Sequence, residues 1–482
     1  MFTPLIIQGG MGVAISSWPL ARAVAQTGQL GVVSGTALDI VFARHLQLGD
    51  PGGRLLKALK EFPYPEMAAR VLQRYYIPGG KPPGQPFRAC PLPSHQPTQE
   101  QLELLVTANF VEVHLAKDGH SGRVGINYLE KIQTPILPSL FGAMLAGVDF
   151  VLMGAGIPRA IPGILDRLSD GQPCTLKLDV ANCGSNDEFE VRFDPQEFTA
   201  GKVPWLRRPW FLAIVASATL ASMLARKASG RVDGFVIEKP TAGGHNAPPR
   251  GPLTLNERGE PLYGPRDEPD LNMFRELGRP FWLAGSYGSP EQLCEALESG
   301  AAGIQVGTAF AFCDESGLQA DLKRQVIDLA RQGDLDVYTD PVASPTGFPF
   351  KIVQLEGSLS DPQLRDERRR ECDLGYLRHA YRREDGSLGW RCPAEKVSAY
   401  VQKGGTEEDT VGRQCLCNAL LANVGLGQVR KQGAVELPLV TSGDDARFLT
   451  RFLPSPAAIG YTARDVIAYL LSGIQAARLA TT

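Results

Sequence analysis

A chain of 482 residues with 43% hydrophobic and 21% charged side chains and a formal net charge of −3 can bury a large core and advertises no basic surface, which argues against nucleic acid and anionic membranes as partners. No apolar run approaches the roughly 18 residues that a spanning helix needs, and the opening MFTPLIIQGGMG has no basic stretch ahead of its apolar one, so an unexported, cytoplasmic protein is expected. Nine cysteines, odd in number and thinly spread, do not make a disulfide framework of the secreted type.

The predicted elements begin with a strand over residues 4–8, a Gly-rich turn, and a helix capped by Ser16 or Ser17 with Pro19 in its first turn. A second strand is expected over 30–33. From Leu38 to about Asn109 the alternation of strand and helix fails, and the Pro/Gly-rich run between Ile77 and Pro93 reads as an insertion. Strands are then predicted at 110–115, 123–128 and 150–153, with a helix over 139–146 between the last two. The third of these strands ends in Gly154-Ala155-Gly156. Further strands follow at 174–180 and 210–215, a helix at 218–228, and a strand over 234–238 that runs into Gly243-Gly244-His245-Asn246. A helix near 271–277 precedes two short apolar runs that end in glycine and a small hydroxyl residue, Phe281 to Gly285-Ser286 and Gly303 to Gly307-Thr308. A closing helix is expected over 318–331.

About eight strand–helix units with one or two accessory strands favour an α/β fold of the TIM (β/α)8 barrel type over an open doubly wound sheet. The expected organisation is a barrel formed by residues 1–38 and 108–325, an insertion after the second strand at 39–107, and a long mixed C-terminal extension at 326–482. In that extension, 340–351 is too rich in Pro and Gly for regular structure, the charged stretch 365–371 reads as a solvated helix face, and 463–480 reads as an amphipathic helix.

The histidine is the most informative residue. Glycines let a chain leave a strand end in conformations other residues avoid, so His245 can stand at a barrel rim, where barrel enzymes keep acids and bases. A histidine on its own would more often be structural, bonded to loop backbone; the flanking glycines favour function. The two glycine-bearing tips downstream can cradle a phosphate, because their backbone N–H groups are able to converge on one anion. The Gly9-Gly10-Met11-Gly12 turn lacks the G-x-G-x-x-G spacing of a dinucleotide fold.

In chain order these motifs are Pro4-Leu-Ile-Ile-Gln8-Gly-Gly-Met11-Gly12, Gly125-Ile-Asn127, Gly154-Ala-Gly156, Glu238 to His245, Ala284-Gly285-Ser286-Tyr-Gly288 and Gln305-Val-Gly307-Thr308. The ordered set resembles the FMN-dependent nitronate monooxygenases, once called 2-nitropropane dioxygenases, which are related to the FMN-dependent enoyl-acyl-carrier-protein reductases. The resemblance implies FMN as cofactor, with Gly10, Met11 and Gly12 along the flavin ring and Asn127, Glu238 and Gln305 near it. It also implies that Gly285, Ser286, Gly288, Gly307 and Thr308 hold the phosphate and that His245 is the catalytic histidine. Where many members carry a lysine in the strand before the histidine strand, this chain has Ile214-Val215-Ala216-Ser217, so that flavin contact is missing or replaced by Ser217. Local sequence leaves Asn127, Ser217 and Gln305 open between flavin contacts and backbone hydrogen bonds, and Glu238 open between a flavin contact and a carboxylate paired with Lys239 or an arginine.

The activity so implied is oxidation of alkyl nitronates with O2, His245 acting as base or anion anchor, since a neutral imidazole can take a proton alpha to a nitro group. The alternatives are an NAD(P)H-dependent enoyl-thioester reductase and, from another class, a non-catalytic flavin-binding accessory subunit. The expected partners are therefore a small nitronate or enoyl thioester and O2, with a homo-oligomer open. No metal is expected at the site. Cys372, Cys392, Cys415 and Cys417 have ligand chemistry suited to zinc or an iron–sulfur cluster, but their spacing fits no standard zinc pattern, so buried free thiols are expected.

Overall fold

The computed structural model describes residues 3–184 and 188–480; residues 1–2 and 481–482, at the outer ends of the expected barrel and extension, lie outside it, as do 185–187. Eight parallel strands form its centre: β1 (Ile6–Gln8), β2 (Gly31–Ser34), β3 (Val124–Leu129), β4 (Phe150–Gly154), β5 (Trp210–Val215), β6 (Gly234–Glu238), β7 (Phe281–Ala284) and β8 (Gly303–Val306). Each pairs with its sequence neighbour from β2 to β8, and β8 pairs with β1. The ring closes where the Gln8 N–H donates to the Leu30 carbonyl at 3.0 Å and the Leu30 N–H donates to the Ile6 carbonyl at 3.1 Å. The chain therefore folds as a TIM-type (β/α)8 barrel.

Alternation along each stave explains why these runs are apolar throughout. Ile7, Val32, Phe150, Leu152, Leu212, Val236 and Trp282 fill the barrel interior, while Ile6, Val33, Ile126, Val151, Phe235, Leu283 and Ile304 join the larger core under the helices. Trp282 satisfies its buried indole by donating to the Pro4 carbonyl at 2.8 Å.

Two predicted strands are not staves. Residues 110–115 belong to the helix Gln99–Lys117, started by Thr98, whose hydroxyl accepts from the Gln101 N–H at 3.3 Å. This helix is buried on most of its circumference, so no apolar stripe survives, and the β-branched residues Val111 and Val113 mimic a strand. Residues 174–180 give instead Cys174–Lys177, antiparallel to Glu190–Phe193 and outside the barrel. Between β2 and the long helix come the helices Leu38–Gln47, Arg54–Leu59 and Pro65–Tyr75 and an irregular stretch over 76–98, so the expected insertion 39–107 ends inside the long helix.

The C-terminal residues up to about 445 fold against the barrel mouth, and the final helix Ala463–Ala480 packs on the barrel flank against the helices Trp18–Ala25 and Pro290–Glu298. Val337–Asp340 pairs antiparallel with Phe350–Val353, so regular structure reaches into the Pro/Gly-rich stretch. The charged run also departs from a solvated face: Arg368 pairs with buried Glu436 at 2.7 Å, and Arg370 donates to the carbonyls of Pro393 and Thr410 at 2.8 and 3.0 Å. Cys392 and Cys415 are buried, with Cys372 and Cys417 packed against them, and all four are free thiols. Among the described residues no group of three or more His, Cys, Asp or Glu is placed to hold a metal ion, and no helix is long and apolar enough to cross a membrane.

Candidate active site

The turn after β1 is pinned from below. Buried Gln8 donates to Ser16 Oγ at 2.8 Å and accepts from the Val32 N–H at 2.9 Å; Ser16 Oγ accepts from the Met11 N–H at 2.9 Å and donates to the Gly9 carbonyl at 2.8 Å. The Gly10 carbonyl accepts from Asn127 Nδ2 at 2.8 Å. Only glycine fits there, because a Cβ at Gly10 would lie 2.3 Å from the Cβ of Asn127. Asn127 is thereby oriented, and its Oδ1 stays buried without a partner.

Across the barrel mouth, β7 is followed by Gly285 at φ +96°, where a Cβ would meet Lys239 Cβ and Thr241 Oγ1 at 2.9 Å. Ser286 follows in the left-handed region at φ +57°, its hydroxyl buried and unpaired. Strain of this kind, held by the surrounding packing, clusters at ligand sites. From β8, Gln305 presents a buried, unpaired Oε1.

Glu238 ends β6. Its carboxylate has no hydrogen-bonding or ionic partner among the described residues, since Lys239 pairs with Glu268 at 3.2 Å instead. Burial pushes its pKa up to about 7, so the group holds or releases a proton near neutrality. His245 lies beyond Gly244, and its Nε2 shares a hydrogen bond of 2.7 Å with Ser344 Oγ. Phe350 packs edge-on against the imidazole at 4.8 Å between centroids. Burial pushes the His245 pKa down to about 4, which keeps the ring neutral at physiological pH. The tail also fixes the loop backbone: the Lys351 N–H donates to the Gly244 carbonyl at 3.0 Å, and the Asn246 N–H to that of Pro349 at 2.9 Å.

These groups face one cavity of about 250 Å³. Gly10, Met11, Gly12, Asn127, Glu238, His245, Gly285, Ser286, Gln305, Gly307 and Thr308 all line it, so all but two of the residues singled out from sequence meet there. Ser217 does not line the cavity; its hydroxyl accepts from the Leu220 N–H at 3.1 Å and caps the helix Ala218–Lys227. Gly288 also lies outside the lining. The tail adds an apolar wall of Leu374, Leu377, Leu416 and Leu420, and the polar residues Ser442 and Asp445. A second cavity of about 270 Å³ shares Ala155, Ile214, Glu238 and His245 with the first. Ser344, Phe350 and Asp445 escaped the sequence reading because each meets the site only through a contact remote in sequence.

Six buried polar atoms without a protein partner line the first cavity: Thr36 Oγ1, Asn127 Oδ1, Ser286 Oγ, Gln305 Oε1, Ser442 Oγ and Asp445 Oδ1. Leaving one such atom unsatisfied costs about 1–3 kcal/mol, so six converging on one space mark a site built for a polar ligand. Their arrangement fits a flavin mononucleotide: amide groups from Asn127 and Gln305 at the barrel mouth, and Ser286 with the glycine tips at the side.

No family model and no curated protein matches the chain. Solved structures similar to it include FabK from Thermotoga maritima, at 14% identity over 99% of this chain and 95% of that chain with a TM-score of 0.49. Nitroalkane oxidase from Streptomyces ansochromogenes is similar at 15% identity, 99% and 97% coverage and a TM-score of 0.45. The enoyl reductase domain of MlnA from the macrolactin biosynthesis cluster of Bacillus amyloliquefaciens gives 12%, 99%, 96% and 0.46. Likeness at these scores decides nothing about activity, and the barrel stands on its own strand order and closure.

Proposed function

We propose that this protein is an FMN-dependent oxidoreductase of nitronate monooxygenase type, oxidising alkyl nitronates with O2. The observation that carries the reading is that unpaired polar atoms from β3, β7 and β8 meet a neutral imidazole in a single cavity. Gly10, Met11, Gly12, Asn127, Glu238 and Gln305 would border the flavin ring, and Gly285, Ser286, Gly307 and the Thr308 backbone its phosphate. The flavin, when bound, supplies the electron-transfer chemistry.

His245 receives the substrate. Its neutral ring takes the proton from the carbon next to a nitro group or hydrogen-bonds the resulting anion, and the Ser344 hydroxyl fixes the ring's orientation and tautomer. Glu238 shares the space with a carboxyl near its midpoint at neutral pH, able to hold a proton there without adding a full negative charge beside an anionic substrate. The leucine wall from the tail excludes water and strengthens these interactions. A yellow preparation that consumes O2 on addition of an alkyl nitronate supports this reading; a colourless protein that cannot be reconstituted with FMN defeats it.

One observation favours a second reading, reduction of an enoyl thioester by NAD(P)H. The second cavity opens beside Glu238 and His245 and is walled by Ile157, Leu220, Tyr263 and Phe348, which gives room for a longer chain. Bleaching of the bound flavin by NAD(P)H, reversed by an enoyl thioester under anaerobic conditions, would select it. Full FMN occupancy with neither activity would leave a non-catalytic flavin-binding subunit.

A further inference from the structure

The tail loop 441–445 enters the cavity beside Ser286 and Thr308. Its backbone is tied there: the Gly443 N–H donates to Thr308 Oγ1 at 3.1 Å, the Asp444 N–H donates to the Thr241 carbonyl at 3.1 Å, and Thr441 Oγ1 accepts from the Gly244 N–H at 2.9 Å. The Thr308 side chain lies beside the Asp445 carboxylate and favours its ionised form. Asp445 Oδ2 lies over Gly288, where a Cβ would come within 3.0 Å, and Asp445 Oδ1 is buried in the cavity with no partner.

An acid in this position is unexpected. The end of the cavity best furnished for a phosphate carries a carboxylate, and among the described residues no lysine or arginine forms an ion pair with it. Lys351, the buried cation nearby, is taken by Asp444 at 2.7 Å. Of the other charged or titratable groups facing Asp445, Arg451 favours its ionised form and Asp444 opposes it, while Tyr461 packs near as a buried neutral phenol. A phosphate dianion and a carboxylate in hydrogen-bonding contact repel, and such pairs resolve the conflict by sharing one proton.

On the flavin reading above, we propose that Asp445 is a cofactor-binding residue that holds a proton against the phosphate of FMN, so that binding FMN takes up one proton. In that complex the carboxyl O–H donates to a phosphate oxygen. Burial raises the Asp445 pKa in the protein alone, which lowers the cost of protonation. Riboflavin has no phosphate and needs no such proton.

The test is FMN and riboflavin binding to apoprotein, followed by flavin fluorescence between about pH 6 and pH 9, above the second phosphate ionisation near pH 6. Affinity for FMN relative to riboflavin is expected to weaken as pH rises, approaching about tenfold per pH unit, the limit for uptake of one proton. Riboflavin sets the baseline, because groups beside the ring, Glu238 among them, act on both flavins alike. Calorimetry in buffers of different ionisation heat should find about one proton more per FMN than per riboflavin on the wild-type protein, a measurement that needs no variant. Asp445→Asn, whose amide donates without taking up a proton, should bring the FMN slope down to that of riboflavin, bind FMN at least about tenfold more tightly than wild type toward pH 9, and leave riboflavin unchanged. An FMN slope no steeper than that of riboflavin, an unaltered slope in Asp445→Asn, or equal changes for both flavins would overturn the proposal while leaving a flavin site intact. Binding of neither flavin to wild type would overturn the flavin reading and the proposal with it.

Discussion

The barrel staves and the C-terminal tail line the same cavity by different means. Gly10, Asn127, Gly285 and Gln305 reach it because parallel hydrogen bonding fixes the register of every stave, so each residue's height at the mouth follows from the sheet itself. Phe350, at the start of a short strand, and Asp445, on an irregular loop, reach it from the tail, and Ser344 touches the His245 ring from behind, each through contacts with residues far away in sequence. The barrel therefore supplies a frame that single substitutions in the tail will not move. The tail supplies orientation, dryness and charge that single substitutions can remove one by one.

The sharpest way to break this division is at the residue both regions hold. Replacing His245 with Asn should leave FMN bound and lower nitronate turnover by about 10²–10⁴-fold, the range for a lost general base; an unchanged rate in steady-state kinetics eliminates the role. On the barrel side, Gly10→Ala forces a Cβ against Asn127, an overpacking that costs about 1–3 kcal/mol, and should show as loss of yellow colour through purification with the fold retained by circular dichroism.

Glu238 gives a test by pH. Its folded pKa is raised from 4.5 to about 7, so the folded protein binds more protons than the unfolded chain between those values, and stability falls as pH rises through that window. Glu238→Gln should remove this loss, gaining about 1–2 kcal/mol at neutral pH in denaturant melts, a figure kept below the full linkage value because the group is partly accessible. His245 works in the opposite direction. Its pKa is lowered from 6.5 to about 4, so its contribution is complete above pH 6.5 and is lost as pH falls toward 4.

The smallest effect is expected on the tail side. Ser344→Ala removes one hydrogen bond to a neutral ring, about 0.5–1.5 kcal/mol, so turnover should fall about 2- to 10-fold with FMN affinity unchanged. A loss as large as that of His245→Asn would show that the tail does more than orient the imidazole.

Much of the barrel and of the frame side of the site was legible in sequence, since apolar runs ending in glycine mark staves whose tips must bend sharply or pass close to other backbone. The errors have separate physical causes. Residues 110–115 carry a strand's composition inside a helix that is buried nearly all round, where no periodicity remains to be read. Ser217 was placed by its position in a resemblance, yet a serine between a strand and a helix most readily caps the helix. The arginines after residue 365 look solvated until Glu436 and the Pro393 carbonyl, both distant in the chain, take two of them inward. Ser344 and Asp445 carry no local pattern at all, because His245 lies 99 residues from Ser344, and Gly288 and Thr308 lie farther still from Asp445.

The strand Phe350–Val353 runs beside the histidine loop and holds it by its main chain. Excising the residues between the helix Ala320–Gln332 and the helix Ala463–Ala480, which itself packs on the barrel helices, would thus leave the cylinder its own complete hydrogen bonding, yet set the imidazole adrift in solvent with an ordinary affinity for protons. An engineer seeking a minimal version of this protein would have to graft that single ribbon back before expecting chemistry.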